Sequence, residues 1–385
     1  MREQRRLKVG VVGCGLIAQS MHLPLLRELS DRFEVVALCD LSPRALDFCG
    51  ERWFPQARRF GHWEDALEES LDAVLVLTSG SHAPVAIAAA QAGVHVFVEK
   101  PVALSVEEGL AMCDAADAAG VCLMAGYMKR FDPAYEELQR RAAALENLRL
   151  VRVTTLEAPL EPYVAHYPMA RGGDVPAETL ASVLDADRAR VAEAIGPDAA
   201  ADPVLGRAYR FVLLDCLVHE FNALRGVLGE PSELRYAAAA GEATEVTTVL
   251  RFGEVECIQA WAELDGLVRY DQELAFYADG ERLSLRFPSP FLRNMPARLV
   301  AEGGAPGDIS TWRAEHTVSY EEAFQRELAE FHDAATTGRE PLTPARDGVR
   351  DVALCEAWVR CAREGGPIPT PTEVDAVAAA EGDAR

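Results

Sequence analysis

The chain has 385 residues, 49% of them hydrophobic, and a formal net charge of -23 with a pI near 4.8. That length predicts roughly two domains, and the acidic balance argues against nucleic acid or an anionic membrane as partner. The nine cysteines include no CxxC and many lie in apolar runs, the pattern of buried reduced thiols and not of a disulfide scaffold or zinc site; no spaced ligand cluster predicts a metal. Met1 to Lys8 is basic but runs straight into an apolar strand with no long h-region, and no spanning helix is evident, so a cytoplasmic protein is expected.

The first element is a β-rich run, Leu7 to Val12, ending in Gly13-Cys14-Gly15-Leu16-Ile17-Ala18 and then a helix through Leu29. Gly13 allows a tight turn, Gly15 lets the backbone approach a pyrophosphate, and small Ala18 lets the helix pack on the strand. The free N–H groups of the first turn, around Leu16 and Ile17, then face the phosphates. The alternative is a bare strand-to-helix turn. A second strand, Phe33 to Leu38, leads to Asp40, placed to accept hydrogen bonds from the adenosine ribose and to repel a 2′-phosphate. NAD is therefore favoured over NADP, with nearby Arg44 softening that preference.

Next come an Arg44 to Arg52 helix, a short helix from Trp63 to Ser70, the strand Ala73 to Leu77 and the loop Thr78-Ser79-Gly80-Ser81-His82-Ala83-Pro84. An alanine-rich helix ends at Gly93, the strand Val94 to Val98 leads into Glu99-Lys100-Pro101, and a Val106 to Ala119 helix precedes the strand Val121 to Ala125. This alternation predicts a doubly wound parallel sheet over residues 1–127. Ligands bind such sheets at the carboxyl ends of the strands, where Gly13, Asp40, Thr78, His82, Lys100 and Tyr127 all fall.

Lys100 stands out because the 38 cationic residues are thirty-five arginines and three lysines, Lys8, Lys100 and Lys129. A lysine in such a background suggests a need for a compact ammonium of shiftable pKa, which a guanidinium cannot imitate. The competing reading is a surface lysine of no consequence.

From about Asn147 strand-like runs follow one another with Gly-containing turns: Leu148 to Leu156, Ser232 to Ala240, Glu245 to Phe252, Glu254 to Glu263, Leu267 to Tyr277 and Arg282 to Phe287. They predict a second α/β domain, residues 128–370, with a large, mostly antiparallel open sheet. Helices Glu321 to Thr337 and Gly348 to Glu364 close it. The tail, residues 371–385, is rich in proline, alanine and acid and is expected to fray.

One helix interrupts these strands and carries Asp215 and His219, four residues apart and so one turn apart on one face. A carboxylate beside an imidazole raises its basicity and fixes its tautomer, which suits a general base. An ordinary surface pair is the alternative, against which the apolar residues around this pair argue.

Gly13-x-Gly15-x-x-Ala18, Asp40, the Thr78 to Pro84 loop, Glu99-Lys100-Pro101, the Tyr127 to Phe131 run and Asp215-x-x-x-His219 together resemble the Gfo/Idh/MocA oxidoreductase family, which includes glucose-fructose oxidoreductase and inositol dehydrogenases. The resemblance covers essentially the whole chain. It implies a Rossmann domain, a second α/β domain whose open sheet often forms an oligomer interface (a homodimer or homotetramer), and a tightly held nicotinamide cofactor. Carried over by position, Lys100 contacts the reacting oxygen and nicotinamide ribose, Asp215 orients, His219 is the acid or base, and His82 and Glu99 lie near the cofactor.

The expected reaction is hydride transfer at a secondary alcohol or ketone of a sugar or cyclitol. Tyr127, Lys129, Arg130, Tyr163 and Arg210 are candidate substrate contacts, with Arg130 equally readable as a structural ion-pair partner. A nucleotide-linked sugar, its diphosphate held by Arg171, Arg207 or Arg210, is the alternative substrate. A non-catalytic NAD(P)-binding regulator is the alternative class, against which Lys100, Asp215 and His219 together speak. Two departures from the family bear on the pocket: Tyr209 to Leu214 stands where a glycine-rich run is usual, and Asn222 where an aspartate is. The connection from Ala158 to Gly206 is also long, and is expected either to cover the cleft and help select the substrate or to be a surface excursion that makes no contact with ligand.

Overall fold

A computed structural model describes residues 5–370 except 306 and 308. The tail at 371–385, expected to fray, lies outside the described residues.

Six strands form the first sheet: β1 (Leu7–Val12), β2 (Phe33–Cys39), β3 (Arg58–Phe60), β4 (Ala73–Val76), β5 (His95–Glu99) and β6 (Leu123–Gly126). All pairs are parallel, in the order β3-β2-β1-β4-β5-β6. Val9, Val74, Leu75, Val96 and Val98 are fully buried, as expected of strands covered by helices on both faces. The order reverses between β1 and β4, and there the chain must leave two neighbouring strands in opposite directions, opening a crevice at their ends. Gly13 is why the two departures fit: its φ is +101°, and a Cβ would stand 2.7 Å from Leu77 C and Thr78 N.

The second sheet has nine strands: β7 (Leu148–Glu157), β8 (Glu233–Ala240), β9 (Glu245–Phe252), β10 (Val255–Glu263), β11 (Asp271–Ala278), β12 (Glu281–Phe287), β13 (Arg298–Gly304), β14 (Thr311–His316) and β15 (Ile368–Pro369). Their order is β14-β13-β12-β11-β7-β10-β9-β8-β15, antiparallel except where β7 meets β10. On β7 the residues Val151, Val153 and Thr155 are buried and alternate with more exposed ones, the signature of a sheet with one covered face. Its other face carries a net of ion pairs, including Arg152–Glu273, Arg286–Glu273, Arg282–Glu302 and Arg313–Glu302. The strand expected from Leu267 starts at Asp271, because Leu267 and Val268 are exposed in the preceding turn.

One apolar cluster joins both sheets, containing Val74, Val96 and Leu110 from the first domain and Leu213, Phe221 and Trp358 from the second. The helix Ala345–Glu364 is the bridge. Trp358 is fully buried and donates from its indole to Thr248 Oγ1 on β9 at 2.8 Å. On its other side Val349 sits so close to the helix Val106–Ala119 that a Cβ on Gly109 would lie 2.7 Å from Val349 Cγ2. Arg225, its side chain 3% exposed, is held in the same region by Asp347, Asp351 and Glu230 at 2.6, 2.8 and 2.7 Å.

The long connection after β7 is largely helical, with helices Glu161–Val164, Ala177–Ile195, Pro197–Ala201 and Pro203–Arg207. It crosses the crevice edge of the first sheet. Gln19 bonds both the carbonyl and the N–H of Ala170 at 2.9 Å, and Asp187 accepts from Ser81 N at 3.2 Å in the loop after β4. These contacts lay the segment along the crevice edge.

Candidate active site

The carboxyl ends of β1, β2, β4 and β5 bring together the residues expected around a dinucleotide. Asp40 Oδ2 accepts from Cys14 N at 2.6 Å and Oδ1 from Ser42 N at 2.7 Å, so the acid after β2 is braced against the glycine turn. A Cβ on Gly15 would meet nothing within 4 Å, and Leu16 and Ile17 beside it are partly exposed. A tight glycine, an open glycine and a helix start facing free space fit a pyrophosphate. His82 Nε2 lies 2.8 Å from Thr78 O and shapes the loop after β4. Glu99 lies beneath the lysine, pairing with His22 Nε2 at 2.7 Å and accepting from Lys100 N at 3.0 Å. His22, fully buried, is thus the partner of that carboxylate.

Lys100 Nζ donates to Asp215 Oδ1 at 2.6 Å and to Asp215 O at 2.7 Å. Burial presses this ammonium toward its neutral form, but Asp215 outweighs it and the lysine pKa moves up. Lys100 in turn holds the Asp215 carboxyl below its usual range. The spacing alone predicts that Asp215 raises the basicity of His219. Instead the chain from Ala208 to Leu217 winds as a π-helix, a distortion frequent at functional sites, and the carboxylate is given to the lysine.

His219 is consequently pushed well below the ordinary histidine value, by burial first and then by Lys129 and Lys100. Its ring meets the edge of Tyr127 at 6.2 Å between centroids, and its Nδ1 is buried with no partner among the described residues. A neutral imidazole beside a fixed ammonium can accept a proton while the cation stabilises negative charge on oxygen.

Lys129 is 6% exposed, with Nζ 5.5 Å from the centre of the Phe287 ring and no hydrogen-bond acceptor among the described residues. Burial lowers its pKa, opposed by Glu220. Glu157, at the end of β7, is pushed up to about 7 by burial and by Glu220, with Lys129 pulling the other way. Glu220 is buried and accepts from Thr155 Oγ1 at 2.8 Å and from Gln272. Glu157, Glu220 and Gln272 escape a reading of the sequence alone; a glutamate breaking the apolar end of β7 and another directly after His219 are the signals that could have found them.

The other candidate contacts divide. Tyr163 accepts from Tyr270 N at 2.6 Å, which ties the long connection to the strand side of the cleft. Tyr127 is buried, its phenol pKa raised by burial and Asp351. Arg130 contacts the Asn222 side chain at 3.3 Å and Asp347 at 3.9 Å, which is the structural pairing. Asn222, where the family often has an aspartate, spans from Arg130 to Asp351 at 2.8 Å. Arg210 pairs with Asp187 at 3.3 Å, Arg171 with Glu161, and Arg207 with Glu263 at 2.7 Å.

Among the described residues no helix is long and apolar enough to cross a membrane, and no group of three or more His, Cys, Asp or Glu could hold a metal ion. A profile described as "Oxidoreductase family, NAD-binding Rossmann fold" matches residues 7–127, and one described as "Oxidoreductase family, C-terminal alpha/beta domain" matches residues 211–370. The chain is 26% identical over 373 residues to inositol 2-dehydrogenase 3 of Saccharopolyspora erythraea, covering 94% of this chain and 95% of that one. It is 27% identical over 381 residues to D-apiose dehydrogenase of Paraburkholderia graminis, covering 94% and 90%. Its fold matches aldose-aldose oxidoreductase from Caulobacter crescentus, solved with glycerol, with a TM-score of 0.72 at 22% identity over 95% of this chain and all of that one.

Proposed function

The chain belongs to the Gfo/Idh/MocA oxidoreductase family, and from that premise we propose that it moves hydride between NAD and a secondary alcohol or ketone of a free sugar or cyclitol. The observation that carries this reading is the Lys100–Asp215 pair at the crevice edge with a neutral His219 one turn away. When bound, the dinucleotide supplies the hydride acceptor or donor. The rest falls to side chains. Lys100 donates to the substrate oxygen and stabilises it as it becomes an alkoxide, His219 takes its proton, and Asp215 keeps the lysine charged and aimed.

Lys129 and Glu157 recognise the remaining hydroxyls. Among the described residues one is an unsatisfied donor and the other a carboxylate with no side-chain partner, so a polyol offering both an acceptor and a donor completes them. A nucleotide-linked substrate is disfavoured because Arg171, Arg207 and Arg210 are each already paired with a carboxylate. A regulator that merely binds the dinucleotide has no use for a proton acceptor beside an ammonium.

The test is formation of reduced nicotinamide from NAD across a panel of inositols, free sugars and nucleotide sugars. His219→Ala should lower kcat on the best substrate roughly a hundredfold to ten-thousandfold while NAD binding, followed by fluorescence quenching, is retained. Equal turnover by the variant would remove His219 from the mechanism, and activity confined to nucleotide sugars would transfer the assignment to that class.

A further inference from the structure

The turn after β2, Asp40-Leu41-Ser42-Pro43-Arg44, is where an adenosine ribose is read in this type of fold. Three groups on it would receive a phosphate on the 2′ oxygen: the Ser42 hydroxyl, the Arg44 N–H at the helix start, and the Arg44 guanidinium. All three are taken by one stretch of the second domain. Asp174 accepts from Ser42 Oγ through one carboxylate oxygen and from Arg44 N through the other, the latter at 2.9 Å. The guanidinium of Arg44 donates to Arg171 O.

The approach is close because glycines make it so. A Cβ on Gly172 would lie 3.1 Å from Ser42 Cβ, and one on Gly173 would lie 3.4 Å from Arg44 Nη2. Gln19 fixes the same stretch from the other side, bonding Ala170 twice and Cys14 O at 2.7 Å.

We propose that Asp174 is a coenzyme-selecting residue: it occupies the Ser42 hydroxyl and the Arg44 N–H, two of the donors a 2′-phosphate would use, and adds a second carboxylate to the turn that begins at Asp40, while the neighbouring Arg171 carbonyl engages the Arg44 guanidinium. This rests on the reading of the crevice as an NAD site and adds to it a determinant 130 residues away from Arg44, on which it acts. Arg44, which by sequence alone softens the preference for NAD, has its N–H engaged by Asp174 and its guanidinium by the Arg171 carbonyl.

The test is direct binding, by calorimetry, of NAD+ and NADP+, with AMP and adenosine 2′,5′-bisphosphate as fragments, to wild type, Asp174→Asn, Asp174→Ala and Asp174→Ala/Arg44→Ala. Asp174→Ala should strengthen NADP+ relative to NAD+ about tenfold, the order expected when a charge-assisted hydrogen bond to the phosphate forms and a like charge beside it is removed. The bisphosphate should follow NADP+, and Asp174→Asn, which keeps an acceptor and loses the charge, should shift in the same direction. Removing the Arg44 side chain as well should weaken the effect without abolishing it, since the Ser42 hydroxyl and the N–H at position 44 remain free to meet the phosphate. Unchanged discrimination in a folded variant, or an equal loss for both dinucleotides, overturns the proposal while leaving the NAD site standing. A wild type that binds neither dinucleotide overturns both.

Discussion

Lys129 lies buried with its Nζ over the Phe287 ring, 5.5 Å from its centre, and it helps hold His219 neutral. In alcohol oxidation the base form is needed, so activity falls as pH drops through the histidine pKa. Because that pKa is depressed, the acid limb of kcat/KM should lie below the pH at which an ordinary histidine protonates. Lys129→Met removes one cause of the depression and leaves burial, the larger one, so the limb should move up without reaching the ordinary value. A limb that stays where it was would mean that another group titrates. Lys100, Asp215 and His219 were legible because each sits at a nameable place, a strand end or one helix turn. Which of them pairs with which was not, because the choice of Asp215 between Lys100 and His219 depends on the distance between two domains. Asp174 was illegible for the same reason, acting on a turn far away in sequence.

Among the elements, the helix Val106–Ala119 has the bounds its sequence predicts, because both ends are written locally. Ser105 Oγ accepts from Glu108 N at 3.1 Å, Glu108 Oε2 accepts from Leu104 N at 2.8 Å, and Gly120 ends the helix in the left-handed region. Ser105→Ala should cost about 1 kcal/mol, seen as a lower urea midpoint with an unchanged slope, and should leave NAD binding alone. A loss several times larger would show that the serine does more than cap. The connection after β7 was legible as long and as a candidate cover of the cleft, but its helices were not, since little in the run Ala177–Ile195 says that Asp187 and Arg190 meet Ser81 and Glu108 of the first domain. The π-helix over Ala208–Leu217 was equally hidden, as apolar residues there fit an α-helical period as well.

For the whole molecule, the parallel and antiparallel sheets followed from alternation and turn residues, whereas the seam between them did not. Arg225 is the test of that seam. Arg225→Met would leave the buried Asp351 without its counter-charge and Asp347 with only Arg130 and Arg350 at 3.9 Å, and breaking a buried pair this way costs about 3–5 kcal/mol. Chemical denaturation should show one cooperative transition at lower denaturant, because the cluster it supports belongs to both halves; two separated transitions would contradict a shared core.

That shared core also governs traffic. Because its two halves share one interior, the body resists parting like jaws, and a dinucleotide is expected to pass by way of the stretch that lies along the crevice from Tyr163 to Asp174. Raising it severs hydrogen bonds to Gln19, Ser42, Arg44, Tyr270 and Phe291 and uncovers Val164, while the core shared by the two halves stays packed. Polar contacts hold this doorway and packed apolar side chains hold the walls, so mutations at the former should change how long a coenzyme stays inside more than they change how firmly the protein is folded.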